Sequence, residues 1–144
     1  MLSVVRFNPI FREVNECRKR YRVLKGSAGS GKSVNVAQDF ILKLMDKRYK
    51  GANLLVVRKF EQSHKDSTFS ELQGAIGRIC GSAANQIWEV KQSPMRLTCR
   101  TTGNEIVFRG MADVRQREKL KSITFKQGKL TWVWVNVSAH NKPS

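Results

Sequence analysis

Apolar and polar positions alternate along the chain in several distinct rhythms. After residue 32, Val34, Ala37, Ile41, Leu44 and Met45 recur at helical intervals, which predicts an amphipathic helix from Lys32 to about Lys47. Phe69, Leu72, Ile76 and Ile79 mark a second helical face, with Asp66 or Ser67 to cap its start and Gly81 just past its end. Gly74 and Gly77 inside that stretch lower its intrinsic helix propensity. Unbroken apolar runs follow a different logic. "NLLVV" (residues 53–57) is apolar on both faces, as a strand buried inside a parallel sheet should be. "RVL" before Gly26 and "KLTWVWV" (residues 129–135) read the same way, the latter rich in aromatic and β-branched residues. From Trp88 onward short strands take over. Met95, Leu97 and Cys99 share one face of "MRLTCR", and the turn-prone "TTG" links it to "NEIVFRG", so the pair reads as a β-hairpin. "RYKGAN" breaks the first helix near Gly51, "MADVRQREKLKS" is a charged helix or exposed loop, and "NVSAHNKPS" is polar and aperiodic.

No internal repeat or low-complexity linker interrupts this pattern, and 144 residues suit one domain with one core. Forty per cent hydrophobic residues is a globular composition. No run approaches the roughly 18 apolar residues that cross a bilayer, and the N-terminus lacks the apolar segment of a secretory signal, which predicts a cytoplasmic protein. Cys17, Cys80 and Cys99 form neither a CxxC pair nor a Cys/His cluster, so zinc is not expected. Charge changes the picture most. With 27 Lys and Arg against 11 Asp and Glu, the formal net charge is +16. Such an excess favours a polyanionic partner, nucleic acid first, through phosphate neutralisation and counterion release.

The stretch "GSAGSGKS" then supplies the chemistry. Gly26, Ser27, Ala28, Gly29, Ser30, Gly31, Lys32 and Ser33 fit G-x-x-x-x-G-K-[ST] at every fixed position. Glycines let successive backbone N–H groups surround a phosphate, and the following helix turns its positive end toward the same anion. Lys32 can reach the β- and γ-phosphates, and Ser33 can offer its hydroxyl to Mg²⁺, so ATP with Mg²⁺ is the expected ligand. The setting of apolar strand, glycine loop and amphipathic helix predicts an α/β P-loop NTPase fold. It would be a three-layer sandwich of the ASCE or RecA-like division, with a mainly parallel central sheet and the β-hairpin as an insertion.

Several segments in order carry a more specific signal: "FNPIF", "RYRVLKGSAGSGKS", "GANLLVVRKFEQSHKDSTFSELQGAI", "TGNEIVFRGMAD", "REKLKSI" and "KLTWVWV". Together they resemble the N-terminal ATPase part of phage terminase large subunits, of the PBSX-like branch found in phages and prophages of Gram-positive bacteria. "VVRK…DSTF" and "FRG…KLKSI" are its most specific parts. The resemblance implies an ATP-driven motor that packages double-stranded DNA into procapsids. Its partners would be a small terminase subunit and a portal protein, its place the host bacterial cytoplasm. It places Arg58 and Lys59 as the family's basic pair after the second strand; whether Arg58 faces nucleotide, faces DNA or simply lies at the surface stays open. Lys121 and Ser122 match the family's "KS", with no role assigned.

The chain also departs from the family it resembles. Many terminases carry an arginine within the loop, where Ser27 and Ala28 stand here. After the apolar strand the family places adjacent acids that direct Mg²⁺ and polarise water; here the positions are Asn136 and Val137, and no Asp or Glu follows Glu118. These departures suggest residues 1–135 as an incomplete ATPase domain and residues 136–144 as a polar tail foreign to the family. The nuclease domain is expected to be absent, as after a frameshift or premature stop. A strand that related ATPases insert between the loop strand and the Walker B strand would be missing. That would leave backbone groups unpaired mid-sheet or force a rearranged sheet. Poor hydrolysis is therefore expected. The alternatives are a small basic P-loop module that binds DNA or nucleotide without catalysis, and a non-functional prophage remnant.

Overall fold

The computed structural model describes residues 21–26, 32–110 and 123–138. Strands β1 (Tyr21–Gly26), β2 (Ala52–Arg58), β3 (Trp88–Gln92), β4 (Met95–Cys99), β5 (Glu105–Gly110) and β6 (Lys129–Ser138) form one sheet in the order β1-β6-β2-β5-β4-β3. The β1–β6, β6–β2 and β2–β5 neighbours are parallel, whereas β4 runs antiparallel to both β5 and β3, so the sheet is mixed. Helices α1 (Lys32–Met45) and α2 (Thr68–Cys80) pack side by side, and a single turn, α3 (Ala84–Ile87), leads into β3. No described helix is long and apolar enough to cross a membrane.

Both long helices fall where their periodicity puts them. The α2 face of Phe69, Leu72, Ala75, Ile76 and Ile79 is buried, and the helix ends at Gly81, whose φ of 56° closes the turn. α1 is buried more completely than a single apolar face requires. Every residue from Asn35 to Ile41 is buried, including polar Asn35, Gln38 and Asp39. Asp39 is paired with Lys43 at 3.1 Å. The two helices cover one sheet face, where Phe40, Leu54, Leu72, Trp88, Phe108 and Trp134 join one core. On the other face Leu55, Val57, Val107 and Val133 form a smaller cluster, flanked by Ile123 and Phe125.

Two expectations change. The hairpin is present, but it is no insertion: β5 pairs with β2 in parallel, so its residues are buried nearly throughout, and β4 and β3 extend the same sheet. A strand flanked on both sides by ladders gains more burial than one standing apart. The loop strand and the Walker B strand of the resemblance are direct neighbours, from Tyr21 opposite Val133 to Gly26 opposite Ser138. This ladder satisfies the backbone donors and acceptors along that seam. The ladder also carries β6 three residues past its apolar run, to Ser138, because β1 provides partners for Asn136, Val137 and Ser138. "MADVRQREKLKS" lies outside the described residues, and Lys121 and Ser122 with it.

Candidate nucleotide-binding site

Four parallel strands bring their carboxyl ends to one edge of the sheet, the edge at which open α/β sheets hold ligands. β1 ends there at Gly26, and α1 starts at Lys32, so strand and helix are separated by five residues. Those five, Ser27, Ala28, Gly29, Ser30 and Gly31, lie outside the described residues. The first residues of α1, Lys32 and Ser33, stand at the positive end of its helix dipole.

The β1–β6 ladder sets Asn136 opposite Leu24, Val137 opposite Lys25 and Ser138 opposite Gly26. Asn136 and Val137 therefore flank the strand end that opens the glycine loop. None of the strands β1, β2 and β6 contains an acid. Arg58 closes β2 opposite Gly110, one step beyond the Val57–Val135 pair. The structure thus gathers Gly26, Asn136, Val137 and Arg58 at one edge.

Arg58 is half-buried, and burial lowers its pKa from the ordinary guanidinium value. Its Nη1 donates to the carbonyl of Ser63 (3.0 Å) and to the Ser67 hydroxyl, and Ser67 in turn donates to the Ser63 carbonyl at 2.7 Å. The Ser67 side chain is therefore engaged away from the helix end it precedes and makes no capping bond. Arg58 Nε and Nη2 make no bond among the described residues. Lys59 is exposed, its Nζ 5.4 Å from the ring centroid of Phe60, itself 48% exposed.

Sequence reasoning missed His64. It ends a short 3₁₀ turn (Glu61–His64), is fully buried, and lies edge-on to Phe108 with ring centroids 5.3 Å apart. Nε2 is 2.8 Å from the carbonyl of Arg109, which can only accept, so Nε2 carries the hydrogen. In the neutral ring Nδ1 then accepts from Thr68 Oγ1. His64 has no place in an apolar period; the only trace in sequence is its spacing of four from Thr68. Ser67 and Thr68 of "DSTF" thus hold Arg58 and His64, which fastens the loop after β2 to the end of β5 and gives "VVRK" and "DSTF" a shared physical purpose. Among the described residues no group of three or more His, Cys, Asp or Glu is placed to hold a metal ion.

Sequence and structural relatives point the same way. A family model described as "Phage terminase large subunit" matches residues 18–140. The chain is 33% identical over 136 residues to the terminase large subunit of Bacillus phage SPP1, covering 94% of this chain and 30% of that protein. It is 31% identical over 123 residues to the PBSX phage terminase large subunit of Bacillus subtilis (strain 168), covering 85% of this chain and 26% of that one. Among solved structures, the HK97 bacteriophage large terminase aligns with a TM-score of 0.59 at 10% identity, over 93% of this chain and 33% of that one. The large terminase of a thermophilic bacteriophage gives 0.57 at 15% identity, over 88% and 36%. These two share the α/β fold with its mixed sheet. The chain spans about a third or less of the curated relatives' length. With a family model matched over most of its residues and two relatives above 30% identity, this chain belongs to the phage terminase large subunit family.

Proposed function

We propose that this chain is the P-loop NTPase part of a terminase motor, the ATP-driven machine that moves double-stranded DNA into procapsids with a small terminase subunit and a portal protein. The observation that carries the reading is the frame at the carboxyl edge: β1 closing at Gly26, five residues later the start of α1 at Lys32, and β6 in parallel register beside β1. When ATP binds, the glycine-rich segment after Gly26 would supply backbone N–H donors to its phosphates, Lys32 a positive charge, and the amino end of α1 its helix dipole. The donor set fits ATP, since it consists of N–H groups, an ammonium and a hydroxyl. Mg²⁺ would be held by the Ser33 hydroxyl together with phosphate oxygens, and supplies charge neutralisation on the phosphates.

Hydrolysis is the weak half of the site. Asn136 offers a neutral carbonyl oxygen, and Val137 can neither orient nor deprotonate water. Removing one well-placed electrostatic group costs about 10²–10³ in rate, so the chain binds nucleotide and turns it over slowly. This observation also favours the second reading, a basic P-loop module that binds without catalysis. Binding of a fluorescent ATP analogue with Mg²⁺, alongside steady-state hydrolysis, tests both, with Lys32→Ala as the blank. Binding lost in Lys32→Ala, with little turnover above that blank, is expected. The pair Asn136→Asp and Val137→Glu should raise turnover without tightening binding equally. Equal nucleotide binding by the parent chain and Lys32→Ala would refute the phosphate loop's role.

A further inference from the structure

At the opposite edge of the sheet, where the parallel strands begin, two chain segments cross in close contact. The backbone N–H of Lys129 donates to the carbonyl of Gly51 at 2.9 Å. Gly128 has φ 75°, and a Cβ there would lie 2.0 Å from the Gly51 oxygen, so only glycine permits the crossing. Three buried polar side chains brace it from below. Asn53 Nδ2 donates to the carbonyls of Gln127 (2.9 Å) and Lys129 (3.2 Å). Asn104 Oδ1 accepts from the Gly51 N–H at 2.8 Å, and its Nδ2 donates to the Tyr49 carbonyl at 3.1 Å. Glu105 Oε1 accepts from the Lys126 N–H at 3.0 Å.

This bracing fixes where the lysines of the two segments emerge. Lys47, Lys50, Lys126 and Lys129 are all exposed at this one edge. Nearby acids are engaged elsewhere: Asp46 with Arg48 (2.7 Å), Glu105 with Arg96 (2.7 Å) and Asp39 with Lys43 (3.1 Å). None of the four lysines forms an ion pair among the described residues. The result is a rim of four lysines, without an ion-pair partner among the described residues, held on a hydrogen-bonded frame.

We propose that this rim binds the phosphate backbone of double-stranded DNA. Its composition selects the partner. Protein interfaces are depleted in lysine and centre on apolar or aromatic anchors. The exposed large hydrophobics, Leu42, Phe60 and Val90, lie in α1, in the loop after β2 and in β3, outside the rim's segments. Single-stranded bases need exposed aromatic platforms, yet Tyr49 is half-buried, edge-on to Trp132 at 5.5 Å. Flexible ammonium groups without base-reading forks suit a duplex backbone read without regard to sequence. The proposal rests on the motor reading for its partner and not on nucleotide binding. It puts duplex at the amino edge of the sheet and nucleotide at the carboxyl edge, with the parallel strands joining them.

The test is fluorescence anisotropy of a labelled duplex of arbitrary sequence across a salt series, without nucleotide. Each phosphate contact contributes about 0.9 to the slope of log affinity against log salt, so replacing all four lysines by Gln should flatten it by about 3.6. The Lys→Arg version should keep the parent slope, and so should Lys32→Ala, which separates this proposal from the nucleotide reading. A control with the same charge change away from the rim, Lys65→Gln, Arg78→Gln and Lys91→Glu, should stay steep. All four rim positions are exposed, so an unchanged melting curve is expected for the variant. An unchanged slope in the rim variant overturns the proposal. An equal loss in the control overturns it in favour of bulk charge. Loss of poly-glutamate binding with the duplex slope intact overturns it in favour of an acidic protein partner.

Discussion

Asn104→Ala tests how the buried asparagines hold this fold together. Asn104 is fully buried and makes three side-chain bonds: from the Gly51 N–H (2.8 Å), and to the carbonyls of Leu44 (2.9 Å) and Tyr49 (3.1 Å). Leu44 lies in the last turn of α1, so its carbonyl has no partner within the helix. It has a second donor, however, in Thr102 Oγ1 at 2.7 Å. The alanine therefore leaves Gly51 N–H and Tyr49 O without partners, both half-buried, while Leu44 O keeps one. At about 1–1.5 kcal/mol for each group left unpaired, the loss is about 2–3 kcal/mol. In urea denaturation this lowers the midpoint by about 1–1.5 M at an m-value of about 2 kcal/mol/M, with m itself unchanged. A double-mutant cycle with Thr102→Val sharpens the test, because the two side chains share the Leu44 carbonyl. Each single variant leaves it one donor and the double leaves none, so the double should be about 1 kcal/mol less stable than the sum. Additive losses, or an Asn104→Ala change below about 0.5 kcal/mol, would refute the claim that these side chains cap α1 from the β4–β5 turn.

Glycine substitutions should move stability in opposite directions. Gly128→Ala drives a Cβ into the Gly51 backbone at a positive φ and should cost about 3 kcal/mol by the same urea assay. Gly77→Ala sits in an exposed turn of α2 with open space around it and should gain about 0.7 kcal/mol, a rise of a few degrees in melting temperature. Reversed signs would mean that the crossing, or the helix, is misplaced. Burial first, and the nearby Cys99 second, push the Cys80 thiol above its ordinary pKa, so little thiolate forms at neutral pH. Iodoacetamide followed by peptide mapping should leave Cys80 and Cys99 unlabelled in the folded chain and modify both in urea. Rapid native labelling would contradict their burial.

The sequence by itself determined the local elements and the family the chain resembles. The stripes of α1 and α2, the doubly apolar β2 and the β4–β5 hairpin were legible because periodicity and turn residues report which face of a segment is buried. The basic excess was equally plain. Tertiary structure decided what those segments meet. It put β6 between β1 and β2 and made β5 a member of the main sheet. It buried the polar side of α1 and set His64 against Thr68 and the end of β5. It turned Arg58 toward Ser63 and Ser67, and made Asn53, Asn104 and Glu105 the braces of a basic rim. A polar side chain has no period that tells a solvated position from a buried one. Its role depends on a partner some 50 or more residues away, as for Asn53 and Asn104, and only the order of the strands brings that partner within hydrogen-bond reach.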